Sequence, residues 1–363
     1  MLDSVILLLL LSVPPIFSHQ QENNETKCPV FSGQSIFVNT TGEDSETCGP
    51  QTKPCRSIAY AVELAGRKNI NSVILNISVG NYQEAESLKL DCGRRRLQRV
   101  TFWGARQHKQ VVEVDFSLNV QFCEVSMVDL HWKNSQPVLY HALMSNITIC
   151  QCTAQGTNVS ITASSSTITL QENSISRCSG YHLGLPLLSV MSFPGDLSTL
   201  HIINCNISDN FGPVVFVGSV HTVTIVASNF EGNRVSSDKK IITAQVSCLN
   251  ISSTRFIRNS GNLLGLEDDD SSASLEKCHF SCNMVNSSLF LPPVMPHNIN
   301  QVFCSNCTVD NECPGKIHCA TVSVHQNLKS QLQTISILLV QKGLKFLGVG
   351  CEEFCRTKKF KEM

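Results

Sequence analysis

The chain has 363 residues, 18 of them cysteine, and a formal net charge of −1 with a pI near 6.8. That length suits one elongated repeat domain or two ordinary domains. The near-neutral balance excludes a bulk field that would select nucleic acid or an acidic partner, and cysteine at this density excludes a compartment that keeps thiols reduced.

The first residues, Met1-Leu2-Asp3, lead into apolar runs at Val5–Leu11 and Val13–Phe17 that end at Ser18-His19. This reads as a signal peptide over 1–18, although without the usual basic start. The run is too short, and too interrupted by Pro14 and Pro15, to span a membrane. Sequons stand at Asn24, Asn39, Asn76, Asn146, Asn158, Asn206, Asn250 and Asn286, with a weaker one at Asn306 through Cys307. With the cysteines they point to a secreted, glycosylated, disulfide-containing protein.

Residues 19–35 form a polar, flexible segment that Cys28 could tether. Ile36–Val38 reads as a strand, and the loop Thr41–Pro54 follows, where Cys48 and Cys55 flank Gly49-Pro50 and Pro54. The spacing predicts a local disulfide there. From Ser57, a fair N-cap, Ile58, Ala61, Val62 and Ala65 share one helical face, with Gly66 as C-cap. A strand at Val73–Val79 and a turn at Gly80-Asn81-Tyr82 complete an N-terminal cap region over 36–84. Residues 85–135 read as irregular first coils, with strands at Val100–Trp103 and Val111–Val114.

Regular coils are expected from 140 to 310, within a β-helix domain over 36–319. Phe303, Phe280, Phe256, Phe230 and Ile207 recur at steps of 23 to 26 residues, each followed three positions later by Asn306, Asn283, Asn259, Asn233 and Asn210. The register continues back to Ile175 and Ile149, where Cys178 and Cys152 replace Asn. Such a period means stacked repeats. Five and seven residues before each anchor are apolar columns, Met144 to Leu275 and Ala142 to Ala273, with a mostly polar column between them. In-out-in alternation marks a half-buried strand, one per repeat, stacked into a parallel sheet. Asn tolerates left-handed backbone angles and can turn the chain, and stacked Asn can form an amide ladder. A leucine-rich repeat also uses Asn, but its motif is not met between His201 and Asn210. Cys152 and Cys178, in one column about 4.8 Å apart, are within disulfide reach. Extra chain around Gly180–Leu197 forms a loop on one face. Cys304, Cys307, Cys313 and Cys319 read as disulfide cysteines, not a zinc site. A Lys-rich tail at 320–363 makes a poor cap and a poor membrane span.

The order strand, loop, Pro54-Cys-Arg-Ser-Ile-Ala-Tyr-Ala61, helix, then Ser72-Val-Ile-Leu-Asn-Ile-Ser-Val-Gly-Asn-Tyr-Gln-Glu84 resembles the opening of pectin-lyase-like β-helix proteins. The F-x-x-N anchors are similar to polymorphic outer-membrane-protein repeats, whose Gly-Gly-Ala-Ile element is absent, so only coil geometry is inferred from them. The resemblance implies an all-β, right-handed single-stranded parallel β-helix with a short N-terminal capping helix.

It also raises polysaccharide cleavage, which on this scaffold uses calcium-holding acidic residues beside a basic one, or clustered aspartates. Glu267-Asp268-Asp269-Asp270 is the one dense carboxylate run and reads as a solvated loop. Arg177, Asp209 and Arg258 share a column, and Arg177 with Asp209 reads as a surface ion pair. Arg94-Arg95-Arg96, with Arg99, Arg106, His108 and Lys109, reads as a solvated turn or an acidic-glycan contact, and lacks the aromatics that nucleic acid would need. The motif sets of polygalacturonase-like hydrolases and of lyases are not found. The expectation is therefore a non-catalytic scaffold or binding module for extracellular glycan or protein. It needs no cofactor, metal, nucleic acid or membrane span. The alternatives are a lyase or hydrolase of acidic polysaccharide, or the N-terminal part of a larger cell-surface protein.

Overall fold

A computed structural model describes residue 28 and residues 32–84, 87–93, 97–105, 111–132, 138–180, 186–192, 198–220, 222–236, 239–245, 247–267, 271–283, 290–291 and 301–310. Each coil lays down three short strands. Sheet A has eleven, from Gln34–Val38 to Gln301–Ser305, and sheet B has ten, from Gly80–Gln83 to Thr308–Asp310. Sheet C has nine, from Leu88–Asp91 to Phe290–Leu291. Pairing is parallel throughout, for example Ile168 with Leu200 in A, Ile175 with Ile207 in B and Ile161 with Leu188 in C. The chain is a parallel β-helix. Sequence alternation located one strand per repeat because only the A strands are regular five-residue runs; most B strands have three residues, too few to show a period.

Alternate residues point inward, and in sheet A these are pairs such as Leu200 and Ile202 or Val223 and Ile225, all 0% exposed. Sheet B contributes the anchors, and Phe230, Phe256 and Phe280 stack face to face with ring centroids 5.2 Å apart at each step. From Asn146 on, a run from the start of an A strand to the end of its B strand has one constant length, as in Asn146–Gln155, Thr167–Ser176, Thr199–Ser208, Thr222–Glu231 and Cys248–Ile257. The coils nevertheless repeat at 21, 32, 23, 26 and 24 residues. From Asn146 on, length variation therefore falls in the segments that flank sheet C, whereas earlier extra chain also lies between the A strand Arg99–Gly104 and the B strand Val112–Asp115.

The corners explain how such short strands stay aligned. Each turn places one residue in the left-handed region, φ between 47° and 59° for the non-glycine cases: Met144 and Ser165 before A, Glu172 and Asn204 after A, Asp209 and Arg258 after B. The next residue points inward and is usually Ser, Thr, Asn or Cys. Ser145 Oγ donates to Leu143 O at 2.8 Å, and Ser166 Oγ accepts the Ser145 N–H at 3.1 Å. At the A-to-B corner Ser228 Oγ accepts the Cys205 N–H at 3.1 Å and donates to Val226 O at 2.9 Å. At the B-to-C corner the rungs are Asn210, Asn233, Asn259 and Asn283. Asn259 Oδ1 accepts the Asn233 N–H at 3.0 Å and the Asn233 Nδ2–H at 3.1 Å, while Asn259 Nδ2 donates to Phe230 O at 2.8 Å. These asparagines build the amide ladder, but the left-handed residue is the one before each.

Three other expectations are corrected. Cys152 and Cys178 are not bridged. Cys152 follows an A strand, its N–H bound by Asn173 Oδ1 at 2.8 Å, whereas Cys178 follows a B strand and is bound by Asn210 Oδ1 at 2.9 Å. Aligning Ile149 with Ile175 matched an A-strand residue to a B-strand one; the partner of Ile175 is Ala154, too small to stand out as an anchor. The same slip occurs at the other end, where Phe280 pairs with Val309, Phe303 lies in sheet A and Asn306 is the left-handed turn residue. Finally, Gly80–Gln83 is a sheet B strand, not a turn, and strand pairing is continuous from Gln34–Val38 through the first coils.

Helix α1, Ile58–Arg67, has Ser57 as N-cap and buries Ile58, Ala61, Val62, Leu64 and Ala65 at the N-terminal end of the stack. Gly66 lies inside it. The helix ends at Lys68, and left-handed Asn69 lets the Ile70 N–H reach Ala65 O at 3.0 Å, a role Asn can take in place of glycine. Cys48 and Cys55 form a disulfide, and Cys55 also bridges Val38 as a short extra rung. Among the described residues Cys28–Cys150 ties residue 28 to sheet A, Cys92–Cys123 joins two coils, and Cys248 and Cys282 are also disulfide-bonded. Residues 1–27, Cys313, Cys319 and 320–363 lie outside the described residues, so the leader and tail expectations have no structural counterpart. Among the described residues no helix is long and apolar enough to cross a membrane.

Replacing Asn259 with Ala strands the buried Asn233 N–H and the Phe230 carbonyl. A loss of about 2–4 kcal/mol is expected, measured by denaturant unfolding. Asn259→Ser should recover part of it, since serine fills the same place at the other corners.

Candidate binding face

Two polar regions have the geometry of sites. The first is a cleft beside the start of α1, lined by Thr40, Asp44, Arg56, Ser57, Asn81, Tyr82, Gln83 and Glu84. Its carboxylates are committed to the backbone. Asp44 Oδ1 accepts the Arg56 and Ser57 N–H at 2.8 and 3.0 Å, and its Oδ2 accepts from Ser57 Oγ at 2.8 Å. Glu84 Oε1 accepts the Ile58 and Ala59 N–H at 2.8 and 3.2 Å. Negative charge here answers the exposed N–H groups and the dipole of the helix. Tyr82, the tyrosine of the Gly-x-Tyr motif, is buried and donates to Ser78 O at 2.9 Å; burial pushes its hydroxyl up to about 12. The cleft therefore works as a helix cap.

The second region is the outer strip of sheet B. Successive coils present Asn206, Asn229, Arg255 and His279 in one column, and Ser208, Glu231 and Ile257 in the next. Asn229 Nδ2 donates to Asn206 Oδ1 at 3.0 Å and to Glu231 Oε2 at 3.1 Å, and Arg258 forms an ion pair with Glu231. The Asn229 amide and then the Arg258 guanidinium hold the Glu231 carboxyl below its ordinary value. Arg177, Arg234, Arg255 and Arg258 are exposed on these coils, and of them Arg258 and Arg255 act on Glu231. Arg177 and Asp209 share a corner column as expected, but Asp209 leans the other way, over Gly232. A Cβ added at Gly232 would stand 2.4 Å from Asp209 Oδ1. The ion pair of this corner is Glu231–Arg258; a strand position for Glu231 outside the repeat columns hid it from sequence reading.

The other sequence candidates disperse. Glu267 pairs with Lys240 at 3.2 Å, and Arg99 with Glu124 at 2.7 Å. Asp268–Asp270, Arg94–Arg96, Arg106, His108 and Lys109 lie outside the described residues. Among the described residues no three His, Cys, Asp or Glu side chains converge as a metal site would require.

The sequons follow the strand period. In Asn76-Ile77-Ser78, Asn146-Ile147-Thr148, Asn206-Ile207-Ser208 and Asn250-Ile251-Ser252 the isoleucine is core and the flanking polar residues point outward. Three of these asparagines lie on sheet A and Asn206 lies on the strip. Asn39 folds into a local turn, accepting from Thr41 N at 3.0 Å. Asn158 Oδ1, at the B-to-C corner, accepts from Ser179 Oγ at 2.5 Å. Asn24 and Asn286 lie outside the described residues.

No family model matches the chain, and no curated protein matches its sequence. Among solved structures it is similar to pectate lyase Pel9A, at 12% identity and a TM-score of 0.36, covering 78% of this chain and 79% of that one. A rhamnogalacturonan lyase aligns at 11% identity and 0.31, over 78% and 75%. ORF18 of Geobacillus virus E2 aligns at 11% and 0.36; 67% of this chain matches, and it spans 56% of that protein.

Burial raises the Glu84 carboxyl above its ordinary value, and the two backbone N–H groups offset this only in part. The charged form is thus less favoured in the folded state than in the unfolded chain. Stability from this group is present below the unfolded carboxylate value and is lost as pH rises through the folded one. Glu84→Gln keeps an oxygen for Ile58 and Ala59. Denaturant midpoints across acid to neutral pH should show the wild type losing stability relative to Glu84→Gln as pH rises.

Proposed function

We propose that this is an extracellular, non-catalytic binding module that holds a glycan or protein ligand along the outer strip of sheet B. The carrying observation is the linked row Asn206, Asn229, Glu231, Arg255 and Arg258, displayed on consecutive coils at the fixed strand spacing of about 4.8 Å. An outward array with this repeat suits an extended ligand with regularly spaced groups. The surplus of exposed arginines favours an acidic one.

Acid–base cleavage fits the strip poorly. Glu231 is held ionised by its partners, and catalysis near neutral pH wants a carboxyl tuned upward. Among the described residues the one carboxyl raised by burial, Glu84, is bound to the helix backbone. The disulfides support an oxidising, extracellular setting, in keeping with the leader read over 1–18 and with glycosylation at sequons away from the strip.

The test is retention of the full chain on immobilised acidic polysaccharides, with assay for unsaturated products and new reducing ends with and without calcium. Arg255→Glu combined with Arg258→Glu should weaken retention about tenfold or more, and Arg67→Glu, remote from the strip, should not. Turnover would sink this reading in favour of a lyase or hydrolase. Retention that ignores the strip arginines would sink the placement.

A further inference from the structure

The A-to-B corner ladder runs Cys152, Asn173, Cys205, Ser228, Thr254, Cys278, Cys307, and among these rungs only the last two are consecutive cysteines. Cys278 and Cys307 immediately precede His279 and Thr308, which are in-register partners in sheet B. The two sulfurs thus occupy equivalent places in adjacent coils. Parallel neighbours lie about 4.8 Å apart, inside the Cα span of a disulfide. The side chains hydrogen-bond to each other. Cys278 Sγ also faces Ile251 O at 3.4 Å, and Cys307 Sγ faces Leu275 O at 3.5 Å. An inter-coil bridge already occurs in this β-helix at Cys92–Cys123, with Cα atoms 5.3 Å apart.

We propose that Cys278 and Cys307 are a modification site, oxidised to an inter-coil disulfide that clamps the C-terminal coils together. Cys307, half-buried at the end of sheet B, loses its proton and attacks one sulfur of a disulfide oxidant of the glutathione type. A mixed disulfide forms and one thiol departs. Cys278 then loses its proton and attacks Cys307 Sγ, forming the inter-coil bond and expelling the second thiol. Two electrons pass from the protein to the oxidant, which leaves as two thiols. Hydrogen bonding to Cys307 and burial push the Cys278 thiol up, so closure should speed up with rising pH.

The experiment treats the full chain with oxidised glutathione, blocks remaining thiols by alkylation and maps peptides without reduction. The expected product is a cross-linked peptide pair joining Cys278 to Cys307, two hydrogens lighter than the separate reduced peptides. It should form faster at higher pH. Cys278→Ser keeps a donor for Ile251 O, as Thr254 does for Ile225 O at 3.5 Å, so this variant should fold. In it Cys307 should stop at a stable glutathione adduct. The proposal is overturned if wild-type Cys278 stays open to alkylation once Cys307 has reacted, or if Cys307 is found joined to any other cysteine.

Discussion

The structure depends on what happens to backbone N–H groups at the corners. A strand of three to five residues must end, turn and be followed by another strand on a different face. At each turn the first inward residue carries an N–H that no strand can receive. Leaving such a group buried and unpaired costs about 1–3 kcal/mol, and the fold has corners along its whole length. The solution is one rung of side-chain oxygen or sulfur from the neighbouring coil, repeated down all three edges: Ser145, Ser166 and Ser198 on one, Cys152, Asn173, Ser228 and Thr254 on the second, Asn210, Asn233 and Asn259 on the third. Each rung satisfies the coil before it and depends on the coil after it. No coil is therefore complete alone.

This explains what could be read in the sequence. The asparagine ladder was legible because Asn is chemically distinctive and recurs beside a large apolar anchor. The other two ladders use Ser, Thr and Cys, which are interchangeable for this purpose and blur any column. Left-handed positions were equally hidden, since Phe122, Met144, Glu172 and Lys277 all occupy them. The backbone is bent by its stacking, and residue preference has little say. At the ends the anchors are Ala154 and Val309, and larger neighbours drew the register away by a few residues. A Cys152–Cys178 bridge depends on that register and does not form, whereas the Cys48–Cys55 bridge closes a local loop and needs no register at all.

Charge distribution separates structure from surface more sharply than the motifs did. Asp44 and Glu84 look like a paired-carboxylate cleft until their hydrogen bonds are followed, and every bond leads to the start of α1. Glu231, an inconspicuous residue in a three-residue strand, turns out to be the centre of the best-connected outward cluster. Its partners are Asn229 in its own strand and Arg258 in the following coil, so the ion pair exists only once the stack is formed. Spacing along the chain, which differs from coil to coil, could not reveal it.

The constant length from A strand to B strand has a consequence for how such a protein can change. From Asn146 on, insertions and deletions are absorbed only beside sheet C, while the A–B ribbon keeps its metre from coil to coil. One side of the molecule is a graduated scale whose marks cannot drift, and the other is a margin where chain can be added freely. Divergence in loop length can therefore reshape one flank without ever moving a residue of the sheet B strip relative to its neighbours.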